Sequence, residues 1–170
     1  MLVIFSRLEL DPADRAWIEG VRRRYDPQHA FVDAHFTLVF PFEGVPQDEV
    51  AAHATAVATS TPAVAFRLTT AAVVRDPAAE RSHVFLLPRE GELALSRLHR
   101  QLYSGPLEAK LRRDIPYQPH VTVGAFDSHA DAERIATVLG PCDIAGTLVS
   151  MDLAAFDGRT LANLRNFPFA

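Results

Sequence analysis

The sequence predicts an α+β fold assembled from two similar units around one core. The order strand–helix–strand–strand occurs over residues 34–88 and again over residues 119–168. Each of these units opens with a strand that contains the pattern His-x-Thr. A chain of 170 residues can bury one good hydrophobic core but is short for two independent domains. We therefore expect a single domain over residues 1–170.

The N-terminal half predicts a leading strand and helix followed by the first unit. Residues 1–8 are rich in Val, Ile and Phe and alternate loosely, as is typical of a strand. Asp11 then supplies a helix N-cap and Pro12 the first helical residue, and this helix extends to about Arg24. The first unit then comprises a strand over 34–42, a helix over 45–60, strands near 63–75 and 82–88, and a turn over 75–80 between them.

The C-terminal half predicts a helix, a long basic loop and the second unit. Leucines at helical spacing predict the helix over 91–104, and the loop covers 104–117. The second unit comprises a strand over 119–126, a helix over 129–139, a strand over 142–156 and a last strand near 160–168.

Composition excludes several classes of protein. The net charge of −4 argues against nonspecific binding of long nucleic acid, which requires a broad cationic face. No apolar run approaches the roughly 20 residues that cross a bilayer, and the N-terminus lacks a secretory signal pattern. Cys142 is the only cysteine, which fits a reducing compartment. We expect a cytoplasmic monomer with no membrane or protein partner.

Each predicted motif strand carries an imidazole and a hydroxyl on one face. Residues i and i+2 of a strand point to the same side, so His35 and Thr37 project together and so do His120 and Thr122. Strict alternation adds Gly124 and Phe126 to the second polar face and assigns the following to the opposite, buried faces: Phe36, Leu38, Phe40, Val121, Val123 and Ala125. A third His-x-Thr, at His53, lies in a predicted helix, where i and i+2 point about 200° apart. We interpret it as coincidence.

Two such pairs facing each other across a groove can open a cyclic phosphate. One group must take a proton from water while another gives a proton to the leaving sugar oxygen, and imidazole can do either near neutral pH. The two hydroxyls can donate to the non-bridging oxygens as charge builds up. A single strand histidine is more often structural, but the recurrence in two matching units favours catalysis. No metal or other cofactor is required.

The segments HFTLVF (35–40) and HVTVGAF (120–126) resemble the paired motifs of the two-histidine phosphoesterase superfamily. More narrowly, they resemble the bacterial 2′-5′ RNA ligase-like proteins and cyclic phosphodiesterases, and the resemblance covers essentially the whole chain. It implies a bilobal fold with two antiparallel sheets lining a central groove. It also implies a catalytic set of His35, Thr37, His120 and Thr122. The implied activity is hydrolysis of 2′,3′-cyclic phosphates on a nucleotide or RNA terminus, usually to the 2′-phosphate, or reversible 2′-5′ bond chemistry.

One departure from the family leaves the phosphate-binding arginine unassigned. Some relatives carry an arginine just after the second motif, whereas this chain has the apolar run 123–126. Arg112 and Arg113 of the preceding loop are candidates, although the sequence favours solvated loop charge as the explanation for them. Tyr117 and Phe126 are candidates for stacking on a base, with packing in the core or rim as the alternative. The remaining histidines are assigned to the surface or to structural hydrogen bonds: His29, His83, His99 and His129.

Two other interpretations remain open at the level of sequence. The chain could be a binding module that recognises a nucleotide or RNA end without turnover, because function resides in sites rather than folds. Alternatively His35 and His120 could be metal ligands, although no third ligand is evident. The sequence does not decide which histidine is the acid and which the base.

Overall fold

In the computed structural model, residues 1–76 and 80–170 are described, and they form two antiparallel β-sheets flanked by four α-helices. The strands of this described part are β1 (Leu2–Arg7), β2 (Glu9–Leu10), β3 (His35–Phe42), β4 (Val64–Asp76), β5 (Arg81–Glu90), β6 (Val121–Phe126), β7 (Pro141–Leu148), β8 (Ser150–Phe156) and β9 (Leu161–Pro168). The helices are α1 (Pro12–Tyr25), α2 (Gln47–Ala58), α3 (Glu92–Leu102) and α4 (His129–Leu139). Short 3₁₀ helices span Pro27–Ala30 and Gly105–Lys110.

Each sheet has a motif strand at one edge. The first sheet runs β3-β1-β8-β9 and the second runs β2-β7-β4-β5-β6. The first motif strand, β3, is an edge strand of the first sheet, and the second motif strand, β6, is an edge strand of the second sheet. Next to them lie β1 and β5, respectively. The α+β prediction with two antiparallel sheets is confirmed.

Local sequence signals account for the helix starts. The Asp11 carboxylate accepts hydrogen bonds from the amides of Ala13 and Asp14 at 2.8 and 3.2 Å, and Pro12 is the first residue of α1, as predicted. The predicted helix over 129–139 coincides with α4, whose first turn is capped by the Ser128 hydroxyl.

The predicted continuous strand over 142–156 is wrong. The chain divides at Val149 into β7 and β8, which belong to different sheets. The backbone stays extended across Val149, and only the strands that it pairs with change. No proline or glycine stands at this position, so the sequence gives no sign of the division. The two-residue β2 and the 3₁₀ helix within the predicted loop were also not predicted, and residues 77–79 of the predicted turn lie outside the described residues.

One hydrophobic core joins the two sheets. Phe36 of β3 meets Phe66 of β4 edge to face, with ring centroids 5.2 Å apart. The helices cross between the lobes, because α1 precedes β3 but packs against β6, whereas α3 precedes β6 but packs against β3. No helix in the described ranges is long and apolar enough to cross a membrane.

Candidate active site

A β-bulge follows the threonine of the first motif. Across β1 and β3, Phe5 pairs with Thr37 and Ile4 pairs with Val39. Leu38 therefore has no partner in the register, and both Leu38 and Val39 are buried. A bulge of this kind inserts one residue into a strand and re-aims the side chains beyond it.

The second motif has the same bulge at the corresponding position. Phe85 of β5 pairs with Thr122, and Val84 pairs with Gly124, which leaves Val123 without a partner. Val123 and Gly124 are both buried. The two motif strands therefore share the bulge that follows the threonine, and β3 has a further register shift between Val39 and Phe42.

The bulges overturn the predicted alternation beyond each threonine. Phe40 and Ala125, predicted to be buried, line a cavity with His120 and Thr122 instead. Phe126, predicted to share the face of His120, lies outside that cavity, and its ring centroid is 5.7 Å from that of Tyr25 in α1. The extra residue in each strand shifts the inward and outward positions by one.

The cavity beside the second motif has a volume of about 580 Å³. This lies within the range of about 300–1,000 Å³ that is typical of small-molecule sites. His120 and Thr122 line it on the β6 side, and Phe40 of β3 reaches into it from the first sheet. The Cα atoms of β3 and β6 approach within 8 Å, so the strand that carries His35 and Thr37 adjoins the cavity, although neither of these residues belongs to its lining.

Both motif histidines make the same backbone hydrogen bond. Nδ1 of His35 lies 2.9 Å from the carbonyl oxygen of Asp33, and Nδ1 of His120 lies 2.7 Å from that of Gln118. In each case the carbonyl belongs to the residue two positions earlier. Because a carbonyl oxygen only accepts, Nδ1 carries the proton and Nε2 keeps its lone pair. Nε2 is then the nitrogen available for proton transfer.

A phenylalanine from the neighbouring strand packs against each histidine ring. Phe85 stacks on His120 with centroids 3.7 Å apart and planes inclined by 15°. Phe5 meets His35 edge-on at 5.1 Å. These two phenylalanines occupy corresponding positions, since each pairs with the threonine of its motif. They fix the ring planes and exclude water from one side.

This packing lowers the pKa of both histidines. Burial lowers the pKa of His35 to about 4, opposed by its hydrogen bond to Asp33. Burial also lowers the pKa of His120, and the charge of nearby His83 lowers it further. Both effects disfavour the imidazolium form. In the free protein the two rings are therefore mainly neutral at pH 7.

Aromatic side chains hold the outer edge of the first motif strand. The Tyr117 hydroxyl donates to the carbonyl of Thr37 at 3.0 Å, and burial raises the pKa of Tyr117, which keeps that hydroxyl protonated. Nδ1 of His99 donates to the carbonyl of Leu38 at 2.8 Å. The rings of His99 and Tyr117 stack on each other at 3.6 Å. Edge-strand carbonyls that would otherwise lack partners are thus satisfied at the bulge.

Tyr103 makes a similar contact with β3 at Phe40. Its hydroxyl accepts the amide hydrogen of Phe40 at 3.0 Å. The ring of Tyr103 also packs on His99, with centroids 4.7 Å apart. The buried His99 is accordingly structural, as the sequence predicted.

The basic loop lies beside the groove rather than inside it. Arg112, Arg113 and Tyr117 line a second cavity of about 520 Å³. Ile115 is common to both cavities, so the segment 111–117 forms the wall between them. Of the eight predicted site residues, His120 and Thr122 line the groove cavity, and His35 and Thr37 lie on the contacting strand β3. Three line the neighbouring cavity, and Phe126 lies apart from both cavities.

Comparison with known families agrees with this geometry. A family model described as the 2′-5′ RNA ligase superfamily matches residues 10–159, a range that includes both motifs. The chain belongs to the 2′-5′ RNA ligase superfamily.

Individual relatives of this superfamily member are distant. A protein of Bacillus licheniformis named "Putative phosphoesterase" is 33% identical over 116 residues, which span 65% of this chain and 64% of that protein. The chain thus matches less than two-thirds of the length of that relative.

Two solved structures share the fold along nearly the entire chain. The protein TT0787 of Thermus thermophilus superposes with a TM-score of 0.68 at 17% identity, covering 99% of this chain and 98% of that one. E. coli LigT complexed with 3′-AMP superposes with a TM-score of 0.64 at 20% identity, covering 99% and 97%. At these identities the likeness is one of fold.

The groove of this superfamily member includes residues that were not predicted from the sequence, among them Phe40, His83 and Phe85. Phe85 and Phe40 depend on cross-strand register and on a bulge, neither of which a single sequence displays. His83, predicted to be structural or on the surface, lines the groove, with its ring 5.9 Å from that of Phe85. His83 and Phe85 lie two residues apart on one strand and therefore on the same face, and this is the one sequence signal that could have indicated that His83 lines the groove. Within residues 1–76 and 80–170, no three His, Cys, Asp or Glu side chains gather as a metal-ligand set.

Proposed function

We propose that this protein is a metal-independent phosphoesterase that hydrolyses 2′,3′-cyclic phosphates of nucleotides or RNA ends to 2′-phosphates. The observation that supports this proposal is the matched pair of histidines. Each has Nδ1 bonded to a backbone carbonyl and an unprotonated Nε2, and the two motif strands, which belong to different sheets, contact each other. An acid and a base drawn from two equivalent imidazoles meet the needs of this reaction.

The reaction needs one proton taken and one proton given. The Nε2 of one histidine removes a proton from water as the water oxygen bonds to phosphorus. The bond from phosphorus to O3′ breaks, and the other histidine, in its imidazolium form, gives its proton to O3′. A phosphate anion bound between the rings favours that imidazolium, because opposite charge raises a histidine pKa. The product then carries the phosphate on O2′.

The threonines supply the electrostatic part of the mechanism. The hydroxyls of Thr37 and Thr122 share the faces of the two histidines and can donate to the non-bridging phosphate oxygens. Donors fixed on strands stabilise the charge that develops in the transition state without reorganising. The 3′-AMP complex of E. coli LigT, which has this fold, supports a nucleotide ligand. The reverse of the same chemistry would join ends through a 2′-5′ bond.

The test uses metal-stripped protein and the four nucleoside 2′,3′-cyclic monophosphates, with products separated by chromatography. We expect a 2′-monophosphate, and a loss of activity of about 10²–10⁴-fold in His35→Ala and in His120→Ala. His53→Gln is the matched control, because His53 belongs to the His-x-Thr of α2 and bonds the carbonyl of Leu102; it should retain parental activity.

Near-normal turnover in either motif variant would contradict the acid–base pair. A 3′-monophosphate product would contradict the proposed direction of ring opening. Binding of the nucleotides without turnover by the parent would favour a binding module over an enzyme.

A further inference from the structure

The second cavity, beside the groove, has a strongly cationic lining. It lies between α3 and the segment 111–117, and its charged or titratable lining residues are His99, Arg100, Tyr103, Arg112, Arg113 and Tyr117. No carboxylate lines it, although the chain as a whole has a net charge of −4. The positive charge of the loop is therefore concentrated at this cavity.

Two of the three arginines have no carboxylate partner. Arg112 forms a bidentate pair with Asp114 at 2.9 and 2.7 Å. Arg100 and Arg113, in contrast, make no hydrogen bond or ion pair within the described parts of the chain. A planar guanidinium presents donors that match a phosphate, and both of these remain available for one.

The aromatic lining of this cavity leads directly to the first motif. Tyr117 lines it and donates to the carbonyl of Thr37, while His99 lines it and donates to the carbonyl of Leu38. The wall shared with the groove contains Ile115. An anion in the second cavity would therefore lie beside β3, the strand that carries His35 and Thr37, and across Ile115 from the groove.

We propose that the second cavity is a phosphate-binding site in which Arg100 and Arg113 hold the phosphodiester next to the cyclic phosphate. Free cations beside aromatic rings form the usual binding surface for a single-stranded nucleic acid backbone. The preferred substrate is then an oligonucleotide end with at least one internal phosphodiester, rather than a mononucleotide. This inference rests on the proposed function, because the groove must hold the reacting phosphate.

Kinetics with two substrates test the site. One is a nucleoside 2′,3′-cyclic monophosphate, and the other is a dinucleotide with one internal phosphodiester and the same cyclic end. The double variant Arg100→Gln/Arg113→Gln should raise KM for the dinucleotide by about tenfold or more, because charged contacts to phosphate are lost. Its KM for the monophosphate should stay within about twofold of the parent. The matched control is Arg97→Gln, an exposed arginine of α3 outside the cavity.

Equal changes in KM for the two substrates, or no change for either, would overturn the proposal. If the parent hydrolyses neither substrate, the proposed function fails and the site is tested by binding alone. Fluorescence anisotropy of a labelled tetranucleotide RNA without a terminal phosphate should then show about tenfold weaker binding to the double variant than to Arg97→Gln. Equal binding to both variants would overturn the site independently of catalysis. Competition by inorganic phosphate that is equally effective against all variants would also count against it.

Discussion

His35 and His120 owe their chemical state to two kinds of contact. A backbone carbonyl holds the proton on Nδ1, and a phenylalanine ring beside each imidazole reduces its hydration. The first contact sets the tautomer, and the second disfavours the charged form. Each histidine thus has an Nε2 that can accept a proton. In the mechanism proposed above, the negative charge of the substrate supplies the pKa shift that turns one of them into an acid.

The titration of His35 should be visible in the stability of the protein. Its pKa of about 4 in the folded state lies below the value of 6.5 for a free histidine. The unfolded chain then binds more protons between these values, so stability is full above pH 6.5 and falls as the pH drops towards 4. Between pH 6.5 and 4 this titration lowers the free energy of unfolding of the parent by at most about 3 kcal/mol. We expect His35→Gln to abolish this contribution.

Urea unfolding at several pH values between 4.5 and 7 measures this effect. The free energy of unfolding should rise less steeply with pH in His35→Gln than in the parent. The other histidines with lowered pKa values make the same contribution to the pH dependence of both proteins. The difference between the two slopes therefore measures the contribution of His35 alone. Parallel slopes would mean that the His35 ring is well hydrated in the folded state.

At the level of elements, the close packing of β6 on α1 leaves no room for a side chain at Gly124. A Cβ atom added to Gly124 would lie 2.7 Å from the ring of Phe126 and 3.2 Å from Cβ of Tyr25. Gly124→Ala should therefore destabilise the fold by about 1–3 kcal/mol through overpacking. It should also lower activity, because relief of the clash moves the strand that carries Thr122.

Gly20 provides the control for this substitution. It lies within α1, and a Cβ there would meet no atom within 4 Å. Gly20→Ala should stabilise the protein by about 0.5–1 kcal/mol, because alanine favours the helix. Thermal or urea unfolding of the two variants compares them directly. Equal stability of Gly124→Ala and the parent would show that β6 does not pack tightly on α1.

The same elements show how much the sequence could predict. The start of α1 followed from its N-cap and its proline, because those signals lie within a few residues of the helix, and α4 followed from the recurrence of the strand–helix–strand–strand order. The paired motifs, which are equally local in the sequence, identified four candidate side chains. The bulges after Thr37 and Thr122 could not be predicted, since a bulge is a mismatch between two strands, and the partners β1 and β5 lie about 30 residues or more away. Phe40 and Ala125 were consequently assigned to the wrong faces.

At the scale of the whole molecule, neither half of the chain forms a lobe alone. The first sheet contains β8 and β9 from the second half, and the second sheet contains β4 from the first half. The helices cross in the same way, so each motif strand is supported by the helix that precedes the other motif. The groove depends on this exchange, because the relative position of the two histidines is set by one shared core.

Such a core should unfold in a single cooperative transition. Trp17, the only tryptophan, lies in α1 and reports by fluorescence on the helix that packs against β6. Far-UV circular dichroism reports on both sheets and all helices together. In urea the two signals should give the same midpoint, as expected for a two-state domain of this size.

Phe66→Leu tests the coupling, because it removes the edge-to-face contact with Phe36 that links the sheets. We expect this variant to lose about 1–2 kcal/mol of stability while the fluorescence and circular dichroism midpoints still coincide. Midpoints that separate in the parent would show that the lobes unfold independently. The histidine geometry would then have to be held by the contact between β3 and β6 alone, and activity would disappear at the first of the two transitions rather than with global unfolding.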